Sequence, residues 1–427
     1  MLRETSSRRH GAAGFLVGCV IVALLVVGKI LVEDSGLGRQ FDQFAYNLIQ
    51  WRMPGPSMSD ETPVVVVDIT DLPPDYRIIA GRMVPVTSRT NLLSLLDAIV
   101  AEQPKGIGID VDFSPQDGAF IDAMNDPAFF QACLSLRRNS GRPVSLGIFR
   151  TRKQEKETWL LKPEFSDLAA TIRVPVQNRR MPLWDQAVAT QARCPGLGAA
   201  LVSDAAQRLP KPVRWLSWAM ETVAEHDVTP ELRTAEFFIN YAPMRLLEKE
   251  RIQAGDAAAI RALRHRIAGR YVLLGYATPG DAKDTFNLAG QIDPVPGVYL
   301  HACAICTLLQ GRPFYELKAA GRVALDVLFG VLVLGSVTLI SRYYSLRESS
   351  KGKVQRVITW AAIWLIILVG IALVRVVHLI WLDFLLVCIA LLVHAPAEKI
   401  AIGISLWLRR GWNGIIRDDA GENAASE

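Results

Sequence analysis

Residues Gly269 to Pro313 constrain the fold of this chain more than any other stretch. Tyr271 to Tyr276 is apolar at nearly every position, is bounded by glycines and is too short for a helix. Such a run reads as a strand buried on both faces, the usual interior strand of a parallel sheet. The loop after it, ATPGDAKD, is built from turn-forming residues and carries Asp281 and Asp284. Open α/β sheets bind ligands at loops of this kind, beyond the carboxyl ends of parallel strands. A helix is expected from about Val298 to Gln310, stopped by Gly311 with Pro313 just beyond.

The same pattern recurs earlier in the chain. Val64 to Asp68 is four valines running into an aspartate, and Gly106 to Asp112 (GIGIDVD) is a second apolar run ending on carboxylates. Between them, Ser88 to Ala101 carries Leu92, Leu95, Leu96 and Ile99 at helical spacing, with Thr87 or Ser88 placed to cap it. Strand, helix, strand with short connections is a βαβ unit, so these strands are expected to be parallel neighbours. Further expectations are a helix at Ile121 to Arg138, strands at Val144 to Phe149 and Glu236 to Tyr241, and a helix at Asp256 to Ala268. Phe41 to Trp51 has amphipathic helical spacing. Most of the region from 150 to 235 is proline-rich and gives no assignable pattern.

Three apolar runs surround this mixed region. The first, Phe15 to Val32, is long enough to cross a bilayer, and Arg3, Arg8 and Arg9 precede it. Val323 to Ser341 is the second. The third, Val357 to Ala395, has 39 residues, too many for one span, and divides at about 357–374 and 377–395 with Arg375, His378 and Asp383 near the turn. Residues 342–356 carry five basic side chains against one acidic, and Arg409 and Arg410 follow the last run. Four spans with both termini inside put every basic cluster in the cytoplasm. The expected domains are therefore a cytoplasmic start at 1–14, an anchor at 15–32, an α/β domain outside at 36–317, a three-helix membrane bundle at 323–395 and a cytoplasmic tail at 396–427. A hydrophobic content of 51% fits membrane residence, and a net charge of only +5 gives no reason to expect nucleic-acid binding.

Taken together, several pieces resemble the CHASE type 2 domain, an extracytoplasmic sensor module of bacterial signalling proteins. They are GRYVLLG at 269–275, the Asp281 to Phe286 loop, PGVYLHA at 296–302 and LLQG at 308–311, with VVVVD at 64–68 and IGIDVDF at 107–113 at the opening. The resemblance covers roughly residues 40 to 315. It implies an α/β sensor domain on the outer face of the bacterial inner membrane that passes a conformational change through its helices. Relatives of this kind continue into a kinase or cyclase. The 31 residues after Pro396 are too few for one, so no enzymatic activity is expected and the output is assigned to a separate protein partner.

Five aspartates are the candidate ligand-binding residues: Asp68, Asp110, Asp112, Asp281 and Asp284, all at or just beyond strand ends. Converging carboxylates need a cation, a basic side chain or a shared proton. A divalent ion is one answer, but capping and loop tethering are the favoured reading for strand-end aspartates. Cys303 and Cys306 have a spacing seen in redox and metal sites, yet they fall inside an apolar helix and read as core, and His301 reads as a core or capping histidine rather than a ligand. Trp215 and Trp218 are weighed as a ligand platform or as packing residues. No cofactor motif is present. The expected partners are the lipid bilayer, an unknown small-molecule ligand, the output protein and a second copy of the chain. Two rival functions stay open, an envelope scaffold and a membrane-anchored metal-dependent hydrolase.

Overall fold

The computed structural model describes residues 61–79, 81–114, 124–149, 163–175, 180–187, 193–209, 211–212, 214–255, 264–278, 284–287, 294–310, 314–329 and 348–381, with positions 27, 35, 38, 40, 44–46, 122 and 388. The chain divides into two compact units. One comprises residues 46–316 with 377–380, the other residues 1–45, 317–376 and 381–427.

In chain order the elements begin with β1 (Val64–Asp68), β2 (Pro74–Ile79), β3 (Arg82–Thr87), α1 (Arg89–Ala101), β4 (Gly106–Asp110), α2 (Asp126–Ser140), β5 (Val144–Ile148) and β6 (Ala169–Thr171). Next come β7 (Arg180–Ala187), β8 (Arg193–Pro195), α3 (Leu197–Leu201), β9 (Met220–Glu221), β10 (Val223–Thr229), β11 (Leu232–Phe238) and β12 (Ile252–Gln253). The chain continues through β13 (Tyr271–Gly275), β14 (Thr285–Phe286), β15 (Val295–Pro296), α4 (Gly297–Gln310), β16 (Tyr315–Leu317), α5 (Glu348–Ala372) and β17 (Leu379–Ile380).

A six-stranded sheet in the order β12-β1-β13-β4-β5-β6 forms the centre, parallel at every pairing. The expected βαβ unit is parallel, but β1 and β4 are not neighbours. The later strand β13 lies between them, paired to both. Side chains alternate between the two faces, and both faces are covered. Val65, Val67, Ile107, Ile109, Val272 and Leu274 join Leu92, Leu96 and Ile99 of α1 and Phe129 and Phe130 of α2 in one core. Val64, Val66 and Leu273 join Leu197 and Leu201 of α3 and most of α4 in the other. Central strands with no solvent face are continuous apolar runs, which is why Val64 to Asp68 and Tyr271 to Gly275 are legible as strands.

Local differences from the sequence expectations have local causes. Helix α2 starts at Asp126, five residues later than expected, where Pro127 supplies a first-turn residue with no backbone N–H to satisfy. Ser88 caps α1 by accepting from the Asn91 N–H. The stretch before α1 is an antiparallel hairpin, β2 with β3. The expected strand at 236–241 instead runs from Leu232 to Phe238 and belongs to a second, antiparallel sheet in the order β10-β11-β7-β8. Of the expected helix at 256–268, Arg264–Ile267 is helical and 256–263 lies outside the described residues. Only 44–46 of the expected helix at 41–51 is described, and it is helical.

The second sheet is tied to the central one through charge. Arg173, just beyond β6, donates from Nε and Nη2 to the two Asp185 oxygens at 3.1 and 2.8 Å, and from Nη2 to Glu236 at 2.8 Å and Thr234 at 2.7 Å. Thr171 of β6 donates to the same Asp185 carboxylate at 2.9 Å. Both carboxylates are buried, so this one guanidinium supplies the pairing that makes them tolerable.

In the other unit, α5 runs into a π-helical turn at Leu373–Val377. Thr359–Val377 is the one helix among the described residues long and apolar enough to cross a membrane. Residues 319–329 are helical; most of the expected spans at 15–32, 323–341 and 377–395 lies outside the described residues. The π-helical turn falls at Arg375, next to His378. His378 takes a left-handed backbone with φ +55°, tolerated by His more than by most residues. Leu379 and Ile380 then pair in parallel with Tyr315 and Glu316, and β9 lies on the other side of β16.

Candidate functional site

Strand register builds the site. Asp68 ends β1, Gly275 ends β13 and Asp110 ends β4, and the three residues are direct cross-strand partners. Partners in one row of a parallel sheet face the same way, so both aspartates point to the side covered by α4. They stand two strands apart, roughly 10 Å. Gly275 keeps the space between them open. A Cβ there would lie 2.8 Å from Val298 Cγ2 and 3.2 Å from Asp110 Cβ. The first turn of α4 is thus seated directly over the row.

Asp68 and Asp110 then part ways. Asp68 is fully buried and accepts from the Thr70 N–H at 3.0 Å, the Ala277 N–H at 3.1 Å and the Thr278 hydroxyl at 2.7 Å, with Arg251 Nη1 at 3.5 Å. Burial alone would raise its pKa; the bonds from Thr278, Thr70 and Ala277 outweigh it and hold the carboxyl below its ordinary value. This is the tethering role, joining the end of β1 to the loop after β13. Asp112 does the same elsewhere, accepting from the Ser114 N–H at 2.8 Å and the Phe149 N–H at 3.2 Å, which ties the exits of β4 and β5 together.

Asp110 has no such partners. Its carboxylate accepts no hydrogen bond among the described residues, and burial pushes its pKa up to about 7. The nearest base is His301, on the second turn of α4, with Nε2 at 3.7 Å from Asp110 Oδ1. Neither ring nitrogen of His301 has a hydrogen-bond partner within 3.5 Å among the described residues, and burial pushes its pKa down to about 4 against the pull of Asp284 and the Ile172 backbone. Asp284 completes the group. As a residue it is open to solvent, but its carboxylate turns in over Gly297, where a Cβ would collide with it. Burial of that end and the nearby Asp110 charge push its pKa up to about 6. The Gly297 N–H donates to the Asp284 carbonyl at 3.0 Å, and β14 pairs with β15, so the loop is pinned to the start of α4.

Of the five expected residues, then, Asp110 and Asp284 share one electrostatic site with His301. Asp68 borders it as a tether, Asp112 serves another loop, and Asp281 lies outside the described residues. His301 was hidden in the sequence because one histidine on an apolar helix looks like core. The partnering carboxylates come from strands far away in sequence. Cys303 and Cys306 are fully buried with their thiols pushed up, as the core reading requires. No three His, Cys, Asp or Glu side chains among the described residues are grouped to hold a metal ion.

Arg89 is a buried structural cation. Its Nε lies 2.5 Å from Asp126 Oδ1, Nη1 donates to the Thr87 carbonyl at 2.8 Å, and its plane covers Phe113. Asp126 in turn accepts from the Asp122 N–H, and Asp122 takes a 2.9 Å bond from Arg77 of β2. The chain runs Arg89, Asp126, Asp122, Arg77, two carboxylates bracketed by two guanidiniums. Together they lock the β2–β3 hairpin and α1 to the start of α2.

A doubly covered parallel sheet with buried ionisable groups under a helix start, at the carboxyl ends of its central strands, has its site where open α/β sheets place ligands. The CHASE2 domain family matches residues 18–337, and the chain belongs to that family. CHASE2 domains are extracytoplasmic sensory domains, which agrees with a sensor role. Searches found no match among curated proteins and none among solved structures.

Proposed function

We propose that this chain is a multi-pass sensor of the bacterial inner membrane. Its α/β domain binds a small-molecule stimulus on the periplasmic side and signals through the membrane helices to a separate output partner. The observation that carries the reading is the buried Asp110–His301 pair at 3.7 Å, whose imidazole nitrogens have no hydrogen-bond partner among the described residues. Polar groups so placed are costly unless something satisfies them, and a ligand donating to Asp110 and pairing with His301 would do so. Helix α4 carries the consequence. It begins at this site and runs 14 residues to Gln310, and β16 follows five residues later, paired with β17 directly after the candidate span. A shift of α4 between two packings would therefore be felt at the end of that span.

The four-span topology is tested by fusions. Alkaline phosphatase fused after Gly311 is expected to be active, and fused after Gly352 or at the tail to be silent; the reverse pattern would sink the topology. For the site, native mass spectrometry of the detergent-extracted chain should reveal a small-molecule adduct that Asp110→Asn removes. Identical spectra for both would take the ligand away from Asp110. Crosslinking through residues 399–417 in native membranes should capture the output partner; recovery of the chain alone would favour a scaffold.

A further inference from the structure

Trp215 and Trp218 are held at the surface. Their relative exposures are 70% and 56%, while their neighbours Ala219 and Met220 are buried. The loop is ordered by its own bonds. Ala219 N–H donates to the Leu216 carbonyl at 2.9 Å, and Ser217 Oγ donates to the Arg214 carbonyl at 2.8 Å. Trp215 lies in the Arg214–Leu216 3₁₀ turn and Trp218 in the turn directly after it. The chain beside them is mainly basic, with Asp204 and Glu221 the nearest acidic residues in sequence. From Ala205 to Met220 the chain holds Arg208, Lys211 and Arg214 and no acidic residue, and all three basic side chains are exposed.

Within its own unit the loop leads into the strand that shares a sheet with β17. Two residues after Trp218, β9 begins, and it lies in one sheet with β16 and β17. Strand β17 starts two residues after Val377, the last residue of the candidate span. At about 3.3 Å per strand residue and 4.8 Å between strands, Trp218 is within roughly 25 Å of the span's end. We infer that the Arg208–Trp218 loop rests on the bilayer surface, its two indoles at headgroup depth and its basic side chains on anionic lipid phosphates. Tryptophan favours that depth because its ring is apolar and its N–H polar, and lysine and arginine reach the phosphates beside it. The apolar occupant this face needs is thus the membrane that holds the chain's own span, and the inference rests on the membrane-anchored reading above.

The test uses the full chain with a nitroxide on Ser217→Cys, which keeps both indoles, in vesicles of phosphatidylcholine with and without phosphatidylglycerol. A label at Glu231→Cys, in the β10–β11 turn, reports water, and one at Trp364→Cys reports the span. In phosphatidylglycerol vesicles the Ser217 label should meet a water-soluble nickel chelate severalfold less often than the Glu231 label. Trp215→Ser with Trp218→Ser, or Lys211→Glu with Arg214→Glu, should restore the collisions without changing the Glu231 signal. Equal accessibility at Ser217 and Glu231 overturns the inference, even with the Trp364 label buried in lipid. Chelate access at Trp364 overturns it together with the membrane-anchored reading. Protection found in native membranes but absent from pure lipid vesicles overturns it in favour of a protein partner.

Discussion

Replacing Arg89 by methionine is expected to destabilise the α/β domain by about 3–5 kcal/mol, enough to unfold many domains of this size. The Arg89 and Asp126 side chains are 3% and 1% exposed, so removing the guanidinium leaves a carboxylate with no access to water. The linked chain amplifies the loss, because Asp126 also accepts from the Asp122 N–H and Asp122 holds Arg77 on the hairpin. Arg89→Met combined with Asp126→Asn removes both charges and should regain more than half of the loss, since the cost lies in the stranded charge rather than the missing bond. Urea unfolding of the detergent-solubilised chain gives the comparison. A double variant no more stable than Arg89→Met would mean that packing of Arg89 on Phe113, not charge pairing, is what the domain needs.

What the sequence reveals and hides follows from which forces leave a one-dimensional trace. Val64 to Asp68, Gly106 to Asp110 and Tyr271 to Gly275 are buried on both faces, so their apolar runs are unbroken and they are legible as parallel strands. Their order is not, because nothing in a strand's own residues says that β13 comes between β1 and β4. The antiparallel sheet is invisible for a different reason. Asp185 and Glu236 point inward to Arg173, and charges at interior positions erase the alternation that marks a half-buried strand. The β2–β3 hairpin disappears behind Pro74, Gly81 and Pro85, which read as loop. At the site, the strand-end aspartates were evident, but which of them tether loops and which lack partners is decided by contacts over a hundred residues away. Asp68 meets Thr278 and Asp110 meets His301, and neither pairing leaves a local signal.

Asp110 should make stability depend on pH with a sign opposite to that of an ordinary salt-bridged carboxylate. Its pKa is about 7 in the fold against 3.8 for an ordinary Asp side chain, so between these values the folded chain holds a proton that the unfolded chain has released. Its contribution is present below pH 4 and is lost as pH rises to about 7, a change of roughly 4 kcal/mol. His301 works the other way. With a pKa near 4 against 6.5, it is neutral in the fold where the unfolded chain is protonated, and stability is lost as pH falls from 6.5 to 4. The two slopes oppose each other in the wild type, so the difference between variant and wild type is the informative quantity. Asp110→Asn keeps the shape of the neutral acid and cannot ionise. Its stability relative to wild type should rise by roughly 4 kcal/mol from pH 4 to pH 8, whereas His301→Leu should lose relative stability from pH 4 to 6.5. A pH-independent difference for Asp110→Asn would mean that the carboxyl is ionised in the fold with a partner of its own. That outcome would remove the unsatisfied group on which ligand binding depends. A stimulus that donates to Asp110 should favour its charged form, so binding would release a proton near pH 6 and flatten the wild-type curve. Calorimetry in two buffers of different ionisation enthalpy would count that proton once a stimulus is in hand.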